Sequence, residues 1–369
     1  MKPIPRVFIV CTGVGHINRG YESFTTECFE NLKKSKNFEL FLLKGAGEKR
    51  EKHIKIPCIK RNSSTAELLS QLVNKEKYWI EEFTFLFGML PSLIKYKPSV
   101  IYYSDFILGT FLWHLRRFFK FKYKLLFSNG APNGPPFNTE DHVQQLVSVY
   151  KNDAVKLGVN TKKMTLLPYG FNINVVNNFF SKSQINEMKK KYGLPENKKI
   201  IISVGAINSH HKRMDYVIKE FSFLDDSEFF LLLLGQIDEN TKPILELAKS
   251  NLSSNSYSIK QVSPKEVSIY LGLSDYFFLA SLSEGFGRVL VEAQSYGLLP
   301  IVHDYEVARD VLKNYAVYGN LKENNVLLKL IIEVNNKKFA KDEIKNFAFL
   351  NYSWEKLTPK YEEMITKLL

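Results

Sequence analysis

Short apolar runs alternate with longer stretches of helical periodicity along most of the chain. In the first half, four runs have the length and composition of buried strands: residues 7–11, 38–43, 100–103 and 125–127. Residues 20–35 follow the first run and carry apolar side chains at helical spacing. Strands that alternate with helices in this way predict a parallel sheet covered on both faces.

The same alternation restarts after residue 195. Five further runs are typical of strands: residues 199–204, 229–234, 257–262, 276–280 and 300–303. The stretches between them predict helices at residues 213–224, 242–252, 264–272 and 287–297. Residues 172–191 are polar and are interpreted as a connector. The pattern therefore predicts an α/β protein with two Rossmann-like domains, in which ligands bind beyond the carboxyl ends of the strands.

Composition excludes several classes of protein. The chain has 369 residues, of which 45% are hydrophobic and 24% are charged, and this profile is typical of a soluble globular protein. No run approaches the roughly 20 apolar residues that span a bilayer. The first residues lack the features of a signal peptide, and the three cysteines form no C-x-x-C pair. We therefore expect a cytoplasmic protein.

The positive charge is concentrated in the first half. The whole chain carries a net +13, and residues 1–170 contain 26 Lys or Arg against 14 Asp or Glu. Residues 113–124 alone hold five basic and five aromatic side chains. Such a mixture suits a membrane interface with anionic lipid, with nucleic acid as the rival partner. It also fits an ordinary helix whose aromatic side chains face the core.

Two glycine-containing loops follow predicted strands. In the first loop, Gly13 and Gly15 let the backbone approach a phosphate, although tight turns use glycine for steric reasons alone. A dinucleotide site fits poorly, because Lys44 ends the second strand where such a site needs an acid. In the second loop, Glu284 precedes a predicted helix that carries Glu292. Carboxylates at these places can accept hydrogen bonds from sugar and ribose hydroxyls.

Residues 281–293 resemble the signature of retaining glycosyltransferases with the GT-B fold, the large group 1 or family 4 enzymes. Residues 164–172 are similar to the segment that closes the acceptor domain of that family. Residues 352–355 resemble the start of its final helix, which crosses back onto the first domain. The resemblance implies two facing Rossmann-like domains. Residues 1–170 with 352–369 would form the acceptor side, and residues 171–351 the donor side.

The resemblance also implies roles for individual residues. Glu284 would contact the donor sugar and Glu292 would hold the ribose. Backbone N–H groups of Phe286 and Gly287 would contact sugar or phosphate. The loop with Gly13 and Gly15 would touch the donor phosphate from the first domain.

The loop that begins at Gly205 departs from the family pattern. Lys212 matches the family lysine that neutralises the pyrophosphate, but Ala206 stands where the family has an arginine. Arg213, or else His211, would supply the missing charge. A solvated helix start is the alternative interpretation of these basic residues.

Four residues of the first half are further candidates. Asn129 stands where the family often has a histidine near the donor sugar, and its amide can hydrogen-bond a hydroxyl but cannot act as an acid or base. His16, Arg19 and His142 are candidate acceptor-side residues, with plain surface positions as the alternative.

The resemblance thus implies a retaining hexosyltransferase that uses a nucleotide-sugar donor and a glycan, lipid-linked or small-molecule acceptor. No D-x-D motif occurs in the sequence, so we expect no metal and no cofactor beyond the donor. A peripheral location at the inner face of the membrane would fit the basic segment, and no nucleic acid is expected. Ala206 and Asn129 leave a second hypothesis, a non-catalytic nucleotide-sugar-binding module with a decayed site.

Overall fold

The structure is a computed structural model that describes residues 4–17, 19–131, 133–173, 182–337 and 339–369. The chain divides into two compact units. The first unit comprises Met1–Asn172 together with Tyr352–Leu369, and the second unit comprises Ile173–Asn351.

A parallel sheet of seven strands forms the centre of the first unit, in the order β3-β2-β1-β4-β5-β6-β7. The strands are β1 (Arg6–Cys11), β2 (Glu39–Lys44), β3 (His53–Lys55), β4 (Val100–Tyr103), β5 (Lys124–Asn129), β6 (His142–Gln145) and β7 (Met164–Leu166). The strand order reverses at β1, which lies between β2 and β4. The carboxyl end of β1 is therefore the switch point where sheets of this kind bind ligands.

Five helices of the first unit lie between these strands or just after them. They are α1 (Gly20–Leu32), α2 (Ser64–Val73), α3 (Lys77–Tyr96), α4 (Phe106–Phe119) and α5 (Ser148–Lys156). Asp105 ends the turn after β4 and caps α4, because its side chain accepts a hydrogen bond of 3.0 Å from the Leu108 N–H. Burial raises the pKa of the Asp105 carboxyl.

The second unit contains a parallel sheet of six strands in the order β10-β9-β8-β11-β12-β13. The strands are β8 (Lys199–Val204), β9 (Phe229–Leu234), β10 (Tyr257–Lys260), β11 (Tyr276–Leu279), β12 (Pro300–His303) and β13 (Val317–Gly319). The helices are α6 (Lys182–Lys191), α7 (Met214–Phe221), α8 (Lys242–Asn251), α9 (Pro264–Gly272), α10 (Arg288–Ser295), α11 (Glu306–Leu312), α12 (Leu327–Asn336) and α13 (Lys341–Tyr352). Here the strand order reverses at β8.

The final helix, α14 (Trp354–Thr366), packs on the first unit. Trp354 Nε1 donates a hydrogen bond of 3.2 Å to Glu27 on α1, and the Tyr361 hydroxyl donates one of 2.8 Å to the carbonyl of Pro168. Gln144 on β6 donates to the same hydroxyl at 2.8 Å. These contacts confirm the predicted return of the C-terminal helix to the first unit.

The two parallel sheets confirm the predicted α/β class. The helix α9 has the predicted bounds because Ser263 forms a capping box with Glu266 and Pro264 occupies the first turn. Residues 172–191 are not an irregular connector throughout, as the sequence suggested. Residues 182–191 form α6, while residues 174–181 lie outside the described part of the chain.

Candidate functional site

The switch point of the second sheet brings two loops together. One loop follows β8 and leads into α7, and the other follows β11 and leads into α10. Because β8 and β11 are neighbours in a parallel sheet, both loops begin at the same edge. This edge carries most of the residues that the sequence singles out in the second unit.

Glu284 is held by two basic side chains from the opposite loop. Lys212 Nζ lies 2.5 Å from Glu284 Oε1, and His211 Nε2 lies 3.3 Å from the same oxygen. The side chains of Glu284 and Lys212 are 10% and 18% exposed, whereas the imidazole of His211 is 58% exposed. Seventy-two positions of sequence separate Lys212 from Glu284, so the fold alone creates this contact.

The charge of Glu284 is set by these neighbours. Burial by itself would raise the pKa of the carboxyl. The hydrogen bond from His211 and the charge and hydrogen bond of Lys212 outweigh burial, and they hold the pKa at about 2. Glu284 is therefore a carboxylate at neutral pH.

Two glycines shape these loops. Gly205 has a φ of +157°, and a Cβ added there would lie 2.6 Å from Cγ of Lys212. The lysine stem thus passes over Gly205, which leaves no space for a larger residue. Gly287 adopts the left-handed conformation, with a φ of +77°, directly before α10. Phe286 beside it is 3% exposed.

Arg213 has a different set of contacts from its two neighbours. Its Nη1 donates hydrogen bonds of 2.7 Å to the carbonyl of Leu321 and 3.3 Å to that of Ala280. Its guanidinium also lies 4.3 Å from the ring centre of Tyr216. In this structure Arg213 therefore ties together the loops at the carboxyl edge, while Lys212 and His211 contact Glu284.

Glu292 lies in the second turn of α10. Its carboxylate is 38% exposed, and Arg288 Nη2 lies 3.8 Å from Glu292 Oε1. Arg288 is almost buried, so it presents one fixed positive charge to one side of that carboxylate. The exposed part of Glu292 leaves the carboxylate accessible to a hydroxyl-bearing ligand.

In the first unit, the loop after β1 lies against carboxylates. Gly15 has a φ of +95°, and an added Cβ on Gly13 would collide with the carboxylate of Glu22. Arg19 Nη2 lies 2.8 Å from Glu22 Oε1. His16 Nε2 lies 2.6 Å from Oε1 of Glu81, which is fully buried. The structure therefore brings His16 and Arg19 to the same edge as the glycine loop.

A buried cluster of charged residues lies beside this loop and was not predicted from the sequence. Glu81 and Glu82 are both fully buried on α3; Arg61 bonds to Glu81, and Thr12 donates a hydrogen bond to Glu82. Burial raises the pKa of the Glu82 carboxyl to about 8, although Thr12 and Arg61 oppose the shift. Two adjacent glutamates inside an otherwise apolar helical stretch were the only sequence signal for this cluster.

Asn129 and His142 are not brought to an open surface. Asn129 is buried, and its amide donates to the carbonyl of Asn133 at 3.2 Å and to Gln145 at 3.0 Å. His142 begins β6, so it lies at the amino edge of the sheet, away from His16. Its Nε2 lies 2.8 Å from the Thr165 hydroxyl, and burial lowers its pKa.

Residues 113–124 divide between core and surface. Trp113 packs against the core and lies 4.8 Å from the Arg117 guanidinium, whereas Phe118 is 81% and Phe119 is 52% exposed. No helix in the described ranges has both the length and the apolar character needed to cross a membrane. Within the same ranges, no group of three or more His, Cys, Asp or Glu side chains could hold a metal ion.

The second unit matches a known family. The profile of the family described as "Glycosyl transferases group 1" covers residues 184–348, which include both loops around Glu284. Residues 184–348 are therefore similar to the group 1 glycosyltransferases.

Curated relatives agree with this assignment. An uncharacterized glycosyltransferase of Methanocaldococcus jannaschii is 24% identical over 63% of this chain and 60% of its own length. The glycogen synthase of Clostridium perfringens is 26% identical over 57% of this chain, which is 46% of the synthase. The chain thus spans about half of the length of the curated relatives it matches.

Solved structures extend the likeness in fold to nearly the whole chain. A glycosyltransferase of Rickettsia africae has a TM-score of 0.75 at 16% identity and covers 99% of this chain and 98% of its own. Sucrose-phosphate synthase of Thermosynechococcus elongatus has a TM-score of 0.78 at 14% identity, with 99% of both chains covered. Anabaena HepE, solved with UDP and glucose, has a TM-score of 0.74 at 13% identity over 98% of this chain and all of its own. These likenesses confirm the GT-B fold that the sequence predicted.

Proposed function

We propose that this protein is a retaining, metal-independent hexosyltransferase that takes its sugar from a nucleotide-sugar donor bound by the second unit. The observation that carries the proposal is the carboxylate of Glu284, 10% exposed and bonded to Lys212 and His211 inside the region that matches the group 1 glycosyltransferases. It supplies an acceptor for sugar hydroxyls next to cations that suit a diphosphate. The anomeric outcome and the hexosyl group come from the family resemblance.

The proposed chemistry needs charge stabilisation more than a nucleophile. The bond between the anomeric carbon and the diphosphate oxygen breaks, and positive charge develops on the sugar. A bond from the acceptor hydroxyl oxygen to the anomeric carbon forms, and the hydroxyl proton leaves with the nucleotide diphosphate. Lys212 stabilises the negative charge on the leaving diphosphate, and Glu284 orients the sugar through its hydroxyls. Glu292 accepts hydrogen bonds from the ribose.

The class of donor is supported by a structural neighbour. Anabaena HepE was solved with UDP-glucose, and its TM-score against this chain is 0.74. We propose a nucleoside diphosphate sugar of the same class for this chain and leave its base to experiment. The remaining candidate, a binding module with a decayed site, predicts binding of the nucleotide sugar without any turnover.

One experiment tests the proposed function. The protein is incubated with UDP-, GDP- and ADP-hexoses, and release of the nucleoside diphosphate is followed with and without candidate acceptors. We expect release from one donor, unchanged in EDTA. Binding without release at any acceptor concentration would favour the decayed module. Loss of release in EDTA with recovery in Mg²⁺ or Mn²⁺ would contradict metal independence.

The acceptor we propose is a hydroxyl-bearing group without negative charge at the reacting end. Near the carboxyl end of β1, the carboxylates of Glu22 and Glu81 match the guanidinium groups of Arg19 and Arg61 in number, while Glu82 is largely protonated. These groups therefore offer no net positive charge to a phosphate. The positive charge of the first unit is therefore proposed to act elsewhere on its surface.

We also propose that α4 and the segment after it bind an anionic membrane surface. Phe118 and Phe119 are exposed beside a run of basic residues, an arrangement that suits the headgroup region of a bilayer. Polybasic segments gain about 1 kcal/mol per cation near anionic lipid, and salt screens this gain. Co-sedimentation with phosphatidylserine vesicles should fall steeply with salt and fall again when Arg117, Lys120 and Lys122 become Gln. Equal, negligible binding to anionic and neutral vesicles would overturn this proposal.

A further inference from the structure

We infer that His211 is a ligand of the donor diphosphate and forms, with Lys212, the cationic pair of that subsite. The inference rests on the proposed function and adds to it the identity of the second cation. Its starting point is that His211 and Lys212 reach the same oxygen of Glu284, at 3.3 and 2.5 Å. The two side chains are therefore neighbours at one carboxylate.

The other candidates in this loop are placed differently. Ala206 carries no charge, and the guanidinium of Arg213 is bonded to the carbonyls of Leu321 and Ala280 and stacked on Tyr216. Moving Arg213 toward a ligand would break both hydrogen bonds, and the two carbonyls would lose a donor. His211 is 58% exposed, so it can contact a ligand while it keeps its place beside Glu284.

The charged groups that face His211 come from two loops. Glu284 faces the imidazole from the loop after β11, and Lys212, Arg213 and His210 are the basic neighbours on its own loop. Since Glu284 is ionised at neutral pH, it offsets part of the positive charge that Lys212 brings to this place. A diphosphate bound beside these groups would find hydrogen-bond donors on both Lys212 and His211.

Substitutions at position 211 distinguish a diphosphate ligand from a purely structural neighbour. A glutamine gives only neutral hydrogen bonds, and charge-assisted hydrogen bonds are about twice as strong as neutral ones. A lysine keeps a positive charge at this place. A nucleoside diphosphate sugar serves as the probe.

The experiment measures the Kd of UDP-glucose, GDP-mannose and ADP-glucose by calorimetry at one pH. For the donor that binds the unaltered protein, we expect H211Q to raise the Kd about tenfold, which corresponds to about 1.4 kcal/mol. H211K should restore the affinity. H210Q, which alters the adjacent exposed histidine, should behave like the unaltered protein.

The outcomes separate the two proposals. An unchanged Kd in H211Q would overturn the role of His211 and leave the proposed function intact. A loss of affinity in H210Q instead would overturn it too. If none of the three nucleotide sugars binds, the proposed function fails, and the role of His211 fails with it. Thermal melts of each variant verify that the fold is retained.

Discussion

Two glutamates shielded from solvent, one in each unit, differ in their charge state. Glu284 in the second unit is 10% exposed, and its pKa is held at about 2. Glu82 in the first unit is fully buried, and its pKa is raised to about 8. Both lie at the carboxyl edge of a parallel sheet, yet one is ionised and the other is largely protonated at neutral pH.

The partners of each carboxylate and the depth of its burial explain the difference. Glu284 is bonded to both Lys212 and His211, whereas Glu82 is more deeply buried, and its ion-pair partner Arg61, at 3.6 Å, also pairs with Glu81. Burial costs a carboxylate several kcal/mol unless opposite charge and hydrogen bonds offset it. In the second unit, Lys212 and His211 offset this cost, and Glu284 stays ionised. In the first unit the cost is not fully offset, and Glu82 keeps its proton.

The substitution Glu284→Gln tests the role of the ionised carboxylate most directly, and we expect it to have the largest effect. The amide keeps the shape but removes the charge that Lys212 and His211 contact. We expect turnover to fall about a hundred- to a thousandfold, the range found when one stabilising polar group of an active site is lost. Steady-state release of the nucleoside diphosphate is the measurement. Glu228→Gln, at an exposed acid that pairs with Lys199, is the control and should retain activity.

The charge state of Glu82 is tested through stability. Its pKa in the folded protein lies above the ordinary value of 4.5, so the folded state binds the extra proton between about pH 4.5 and pH 8. The free energy of unfolding therefore falls as pH rises through that window, by at most about 1.4 kcal/mol per pH unit. A glutamine at position 82 does not titrate, so Glu82→Gln should not show this fall. The variant should therefore gain stability relative to the unaltered protein as pH rises.

Tryptophan fluorescence makes this measurement of unfolding specific to the first unit. Trp79, Trp113 and Trp354 all lie in the first unit, so tryptophan fluorescence during urea unfolding reports that unit. Glu67→Gln, at an exposed acid on α2, is the control and should leave the pH slope unchanged. Parallel slopes for Glu82→Gln and the unaltered protein would show that Glu82 is ionised in the fold.

Glu292→Ala tests whether Glu292 contributes to nucleotide binding more than to turnover. The half-exposed carboxylate is proposed to hold the ribose, and a hydrogen bond to a charged group contributes about 1.5–3 kcal/mol. We expect the Kd for the nucleoside diphosphate to rise about tenfold, with turnover at saturating donor changed less. Calorimetry measures the first quantity. An unchanged Kd would remove Glu292 from the site, and Glu333→Ala on α12 is the matched control.

Arg213→Ala gives the smallest expected change in binding. Because its guanidinium bonds to the carbonyls of Leu321 and Ala280, its loss should cost about 1–3 kcal/mol of stability. The Kd for the nucleotide sugar should stay within about twofold. A melt followed by circular dichroism measures stability, and calorimetry measures Kd. A large loss of affinity would instead support the phosphate role that the sequence suggested for Arg213.

Much of the fold can be predicted from the local pattern of apolar and polar residues. The bounds of β8, β9 and β12 follow from apolar runs, because a strand covered on both faces needs apolar side chains throughout. Strands without an apolar run were not predicted. β6 reads His-Val-Gln-Gln, and its buried Gln144 is tolerated because it donates hydrogen bonds of 2.8 Å to Leu167 and to Tyr361.

Sequence pattern by itself determined the α/β class, the two-part organisation and the loop that carries Glu284, since these depend on periodicity and on residues adjacent in the chain. The tertiary structure decided which charges meet. It placed Lys212 and His211 on Glu284, turned Arg213 toward two backbone carbonyls, and buried Glu82 beside Arg61, which also pairs with Glu81. Charge states depend on distance and burial, and residues far apart in the chain acquire both only when the sheets form.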